Sequence, residues 1–172
     1  MLILNPIRLV RARHSDRDRV LLIERAVFPD EPFSPEQVRH MLHSASARTL
    51  LLMTGTEPVG LVALWWRRGA STCRIIDLAV RPRFRRRGLG TRLVRAALRD
   101  GRRHGFAGVT LEVAETNHPA RSLYESQGFC HERRLPDYYD RHRHAIRMIR
   151  WLRVVPCGRT RPAAGRGMVR SQ

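Results

Sequence analysis

The sequence predicts a mixed α/β domain: a mostly antiparallel sheet interrupted by one parallel β-α-β crossover at its centre. Three observations carry this reading. Strand-like and helix-like stretches follow one another in the order βα, α, βββ, α, β, α, ββ. Thr49 to Thr54 and Val59 to Trp66 are short apolar runs joined by Gly55-Thr56-Glu57, the pattern of a hairpin. A long amphipathic stretch then stands between two further apolar runs, and a strand–helix–strand unit of that kind returns parallel to itself.

The elements follow in order. Ile7 to Arg13 alternates apolar residues with arginines and reads as an edge strand. Ser15 and Asp16 offer an N-cap for a helix through about Ala26, with Val20, Leu22, Ile23 and Val27 expected on its buried side. Phe28 to Pro32 breaks it. Ser34-Pro35-Glu36-Gln37 restarts a helix with a capping box and a proline in the first turn, and Val38, Met41 and Leu42 follow. After the hairpin, Cys73 to Val80 is a third strand closed by Arg81-Pro82. Gly88 to His104 carries Leu89, Leu93, Val94, Ala97 and Leu98 along one stripe, with Gly105 as its C-cap. Val109 to Val113 is a buried strand, Asn117 to Gln127 a short helix, Gly128-Phe129 the turn into another strand, and Ala145 to Val154 the last one.

The chain of 172 residues is long enough to bury one core, with 42% apolar and 28% charged residues. Residues 1–155 read as the folded domain. Residues 156–172, rich in Pro, Gly and Arg, read as a basic tail expected to be disordered. No apolar run approaches the length of a membrane span, and Met1 to Val10 lacks the form of a signal peptide, so a cytoplasmic protein is expected. There are 33 basic residues against 15 acidic, a net charge of +18, and all 33 are arginine. Such a field attracts polyanions. The total absence of lysine attributes most of the excess to codon usage instead.

One segment carries recognisable chemistry. Val80-Arg81-Pro82-Arg83-Phe84-Arg85-Arg86-Arg87-Gly88-Leu89-Gly90 stands between a strand and a helix. Glycines 88 and 90 let backbone approach a ligand and take positive φ where needed. The helix start turns free N–H groups outward, and Arg85, Arg86 and Arg87 add charge, which together suit a pyrophosphate. A basic surface turn before a helix would read the same way. The segment is neither a Walker loop nor a dinucleotide fingerprint.

A second block narrows the choice. Leu111-Glu112-Val113 is followed by Asn117, Ala120, Leu123-Tyr124-Glu125 and Gly128-Phe129. With the V-x-P-x-x-R-x-x-G-x-G before it, this resembles the GNAT superfamily of acyl-coenzyme A N-acyltransferases, most of all its ribosomal-protein-alanine (RimI-type) branch, over Ile7 to Leu152. The resemblance implies the GNAT fold, helices on both faces of the sheet, and acetyl-coenzyme A as acyl donor with no metal. It implies that the backbone of Leu78, Ala79 and Val80 pairs with the pantetheine arm like an added strand. Arg86, Arg87, Gly88, Leu89, Gly90 and Thr91 match the loop around the pyrophosphate, and Asn117 a coenzyme-contacting position. Glu112 matches the proposed general base, and Tyr124 the general acid for the departing thiolate. Tyr138 and Tyr139 lie where the family has a tyrosine-bearing loop near the acceptor. The usual acidic continuation there is replaced by Asp140-Arg141-His142-Arg143-His144.

Each position also has a plain structural reading. Glu112 could pair with an arginine, Tyr124 could be a core-edge tyrosine, and Asn117 could cap its helix. Cys73 and Cys130 lack neighbours that activate a thiol, so no acetyl-enzyme is expected. Cys130-His131 and His142-x-His144 match no zinc spacing. The expected activity is acetyl transfer to a primary amine, foremost a protein or peptide N-terminus, with a ribosomal protein among the acceptors the resemblance implies, by direct attack in a ternary complex. The alternatives are a small-molecule amine as acceptor, or a non-catalytic coenzyme- or RNA-binding module. Neither membrane nor nucleic acid is required by the leading reading.

Overall fold

The computed structural model describes residues 6–140 and 142–152. The tail expected at residues 156–172 lies outside them, as do the last residues of the final expected strand. The described chain runs β1 (Ile7–Arg11), α1 (Arg17–Val27), α2 (Pro35–His43), β2 (Ala47–Thr54), β3 (Glu57–Trp65), β4 (Thr72–Val80), α3 (Leu89–Arg103), β5 (Gly108–Ala114), α4 (His118–Ser126), β6 (Cys130–Asp140) and β7 (Arg143–Trp151). The order matches the one expected. Among the described residues, no helix is long and apolar enough to cross a membrane.

The strands form one seven-stranded sheet in the order β1-β2-β3-β4-β5-β7-β6. Every neighbouring pair is antiparallel except β4 and β5, which α3 connects as the parallel crossover. Two apolar layers cover its faces. On one, Leu93, Val94 and Ala97 of α3 and Tyr124 of α4 pack on Leu52, Val62 and Leu111. On the other, Val20 and Ile23 of α1 and Val38 and Met41 of α2 pack on Leu51, Leu61 and Ala63. The Ser34 hydroxyl accepts from Gln37 N and the Gln37 side chain accepts from Ser34 N, so α2 begins on its expected capping box.

Helix α1 departs from expectation in one respect. Leu22 is 44% exposed and Leu21 is buried in its place. The stripe that faces the sheet is Val20, Ile23, Glu24 and Val27, one residue of which is a carboxylate.

Two irregularities in β4 shape the centre of the sheet. Ala63 pairs with Asp77 and Leu64 with Ile75, so Ile76 is an extra residue, a bulge. The bulge reverses which face each residue meets: Cys73 and Ile75 join the α3 layer, whereas Ala79 joins the α1 layer. The second irregularity is a parting of strands. β4 pairs with β5 only from Thr72–Gly108 to Ile75–Leu111. Beyond that point β4 remains paired with β3, and β5 with β7, but the two strands no longer pair with each other.

Candidate active site

A cleft of about 650 Å³ opens beside the gap. Leu78 and Val80 line it from the free part of β4, Arg85 and Arg86 from the loop, Gly88, Leu89, Gly90 and Thr91 from the start of α3, and Asn117 from the start of α4. Val27 and Phe28 at the end of α1 also line it, neither of them a site residue by the sequence. Two expected residues do not contribute side chains. Ala79 is turned into the α1 layer, and the Arg87 guanidinium lies 5.8 Å from the centre of the Phe84 ring.

The cleft suits an anion. Gly88 takes φ +72° and Arg86 φ +57°, which folds the loop back onto the helix start. The first helical hydrogen bond runs from Arg92 N to Gly88 O (3.1 Å), so the N–H groups of Leu89, Gly90 and Thr91 have no partner within the helix. Arg85 donates from Nε to Val80 O (3.1 Å), and neither Arg86 nor Arg87 is paired with a carboxylate among the described residues. Gly90, which lines the cleft, also has a packing role. Its φ is not positive, and an added Cβ would sit 3.1 Å from Leu123 Cδ2. It lets α4 close on α3. Asn117 caps α4 by accepting from Ala120 N (3.2 Å), so its structural role and its place in the cleft coexist.

Tyr124 is 8% exposed, edge-on to Phe129 with ring centres 5.7 Å apart. Burial first, then the charges of Asp77 and Tyr139, push its phenol up, so it stays protonated. Glu112 is the first β5 residue past the last β4–β5 pair. Its side chain is only 3% exposed, with one oxygen against Arg74 Nε and the other 3.4 Å from Arg147 Nη1. Arg147 continues to Glu132 (3.0 Å), and Arg74 donates to the Tyr138 hydroxyl. The arginine pairing that the sequence held open for Glu112 is therefore present, twice over. Tyr138 and Tyr139 are half exposed, in a stretch of β6 where four residues (136–139) oppose the single His144 of β7. Burial, Tyr138 and the Glu112 charge raise the Tyr139 phenol. Cys73, pushed up to about 12 by burial, has no thiolate to offer.

Comparison with known proteins decides the family. Residues 17–129 match the Acetyltransferase (GNAT) family. The chain belongs to the GNAT acetyltransferases. It is 35% identical over 130 residues to N-alpha-acetyltransferase 30 of Xenopus laevis, covering 72% of this chain but only 46% of that protein. It is 28% identical over 117 residues to a putative [ribosomal protein bS18]-alanine N-acetyltransferase of Bacillus subtilis, covering 67% of this chain and 76% of that one. In fold it resembles the crystal structure of the ribosomal-protein-S18-alanine N-acetyltransferase from Escherichia coli, with a TM-score of 0.78, 21% identity, and coverage of 90% of this chain and 99% of that one.

Within this GNAT domain, two further residues border the gap that sequence reasoning passed over. Glu24 of α1 is 2% exposed and Asp77 of β4 is 8% exposed, each keeps one buried carboxyl oxygen without a hydrogen-bond partner, and the Glu24 carboxyl lies close enough to push Asp77 up. The signal was available in the sequence: each is an acid at an apolar position, Glu24 four residues after Val20 on the helix stripe and Asp77 between Ile75 and Ala79 on the strand. Nearby, Phe33, Met41, Trp65 and Ile76 line a second, mainly apolar groove of about 390 Å³, rimmed by Gln37 and His40.

Proposed function

We propose that the chain transfers an acetyl group from acetyl-coenzyme A to the α-amine of a protein or peptide N-terminus, by direct attack in a ternary complex. The observation that supports this most is the gap between β4 and β5, with Leu78 and Val80 of the freed β4 lining the anion cleft and Glu112 the first β5 residue past the last pair. The donor fits the residues present. Its phosphates meet Arg85, Arg86 and the free N–H groups of α3, and its extended arm meets the unpaired edge of Leu78 to Val80. Once bound it supplies an activated acyl carbon and a thiolate leaving group. The acceptor chain lies in the groove lined by Phe33, Trp65 and Ile76.

The chain's own residues then handle charge and protons. An α-amine has a pKa of roughly 8 and arrives largely protonated. Glu112 takes its proton through an intervening water, because both carboxylate oxygens are already held by guanidinium groups. Tyr124, kept neutral by burial, gives its proton to the departing thiolate. The setting is cytoplasmic. The likeness to the Bacillus relative makes a ribosomal protein one acceptor to try first.

The test is thiol release and mass spectrometry with a panel of peptides of varied N-terminal residue, beside spermidine and free amino acids. Acetylation confined to peptide α-amines is expected. Turnover only on the small amines would replace the acceptor, and no thiol release from any amine would leave a binding module.

A further inference from the structure

We propose that the Glu24–Asp77 carboxyl pair is a proton-bearing clamp that holds the wall of the acceptor groove against β4. The proposal rests on the reading of that groove given above.

The setting of this pair is unlike that of the other buried acids. Asp16 has Arg19 beside it, Asp100 has Arg48, and Glu112 has Arg74 and Arg147. In a chain with 33 arginines, no ion pair reaches Glu24 or Asp77 among the described residues. Three groups face Asp77: the Glu24 carboxyl from α1, the Leu78 N–H on its own strand, and, at longer range, the Tyr124 phenol from α4. Its neighbour across β3 is Ala63, which brings no charge. Glu24 Oε2 accepts from Phe33 N (3.1 Å). Glu24 Oε1 and Asp77 Oδ2 are both buried without a donor. Two neighbouring buried carboxyl groups, each with an oxygen that no donor reaches, are satisfied together by one shared proton. Burial, then the Glu24 carboxyl, holds Asp77 well above the usual carboxylate range, which agrees.

The pair ties together the two sides of the groove. Asp77 follows Ile76, the bulge residue that lines one side. Glu24 holds the backbone of Phe33, whose ring lines the other, directly ahead of the Ser34 cap of α2. With one proton the carboxyl groups bridge α1 to β4. Without it two adjacent anions repel in a low-dielectric interior, and the Phe33 wall loosens. Glu24 and Asp77 act through Phe33 and Ile76 and are positioning residues.

Glu24→Gln separates the bridge from its proton. The amide N–H donates to Asp77, and its carbonyl still accepts from Phe33. Acceptor KM is measured from pH 6.5 to 9.5 in both proteins with one accepted peptide. Ionisation of the amine acts on both alike and cancels in the ratio. The wild-type to variant KM ratio is expected to be flat at the acid end and to rise by at least about threefold toward the alkaline end. A ratio constant across the range overturns the clamp. Asp77→Asn is expected to behave as Glu24→Gln does, so one poorly folding variant does not end the test.

Thermal unfolding against pH gives a readout that needs no acceptor. Asp77 has its folded pKa above its unfolded value of about 3.9, so its contribution to stability is complete below that value and is lost as pH rises toward the folded one. The wild-type Tm should therefore fall relative to Glu24→Gln as pH rises from about 4. Parallel Tm curves would show that no proton is shared and overturn the proposal. If no peptide is acetylated, the functional reading fails, and diverging or parallel Tm curves still decide the clamp.

Discussion

On the β5 side of the gap, Glu112 sits between Arg74 and Arg147 in a ladder that extends to Glu132 and Tyr138. On the β4 side, Asp77 faces a second carboxyl and no guanidinium. Both are acids on strands that flank the same opening, and both are nearly covered. They differ in what balances the charge. Fixed cations do so for Glu112, across the register that sets Glu112 opposite Arg147. A proton does so for Asp77. The difference teaches that burial alone does not assign a carboxylate its role. Its partners decide whether it can exchange protons with a substrate or holds one as part of the structure.

The comparison can be broken most directly at Glu112. Glu112→Gln should lower kcat/KM about a hundredfold at pH 7, and the deficit should shrink as pH approaches 9, where free amine no longer needs a proton acceptor. A deficit independent of pH would make Glu112 an anchor for Arg74 and Arg147 instead. Tyr124→Phe touches both sides, since the Tyr124 phenol lies within electrostatic reach of the Asp77 carboxyl. It should reduce kcat about tenfold or more with acetyl-coenzyme A affinity unchanged by calorimetry, because the lost hydrogen bond strengthens only as the thiolate departs. Arg86→Ala should weaken acetyl-coenzyme A about tenfold, with a shallower salt dependence than wild type, while acceptor KM stays constant. Smallest, Phe33→Ala should raise acceptor KM about threefold and leave donor affinity alone, which would place the clamp's effect on the acceptor side. Equal loss of donor and acceptor binding would mean that the groove and the cleft are one site.

Local signals made most of the fold legible. The Ser34–Gln37 capping box, the Leu89 to Leu98 stripe and the β2–β3 hairpin each depend on neighbours in sequence, and each is found where expected, the hairpin with its turn shortened to Gly55-Thr56 because Glu57 pairs with Thr54. The anion cleft was legible for the same reason, since its glycines and arginines are contiguous. What was missed depends on register or on a phase shift. Leu22 and Leu21 trade places because a shift of one residue turns a helical side chain by about a quarter turn or more. The clasp of Arg74 and Arg147 on Glu112 needs three strands aligned at once. The meeting of Glu24 with Asp77 needs the Ile76 bulge, which no spacing rule announces. Glu24 and Asp77 were visible as acids at apolar positions, but only as isolated anomalies.

The four-residue seam between β4 and β5 has a consequence for how the domain assembles and comes apart. Local hairpins link β2 to β3 and β6 to β7, whereas the seam joins residues 72–75 to residues 108–111 across the whole of α3. Closing such a long loop for four parallel pairs is entropically the least rewarding step of the sheet. The N-terminal strands with α1 and α2, and the C-terminal strands with α4, are then expected to open and close as two units about the seam. Opening at the seam would separate Glu112 from Asp77 while leaving each unit largely folded. Amide exchange is the natural probe: the seam amides of Cys73 to Ile75 should exchange well before the centre of β2, and a ligand seated in the gap should slow them most.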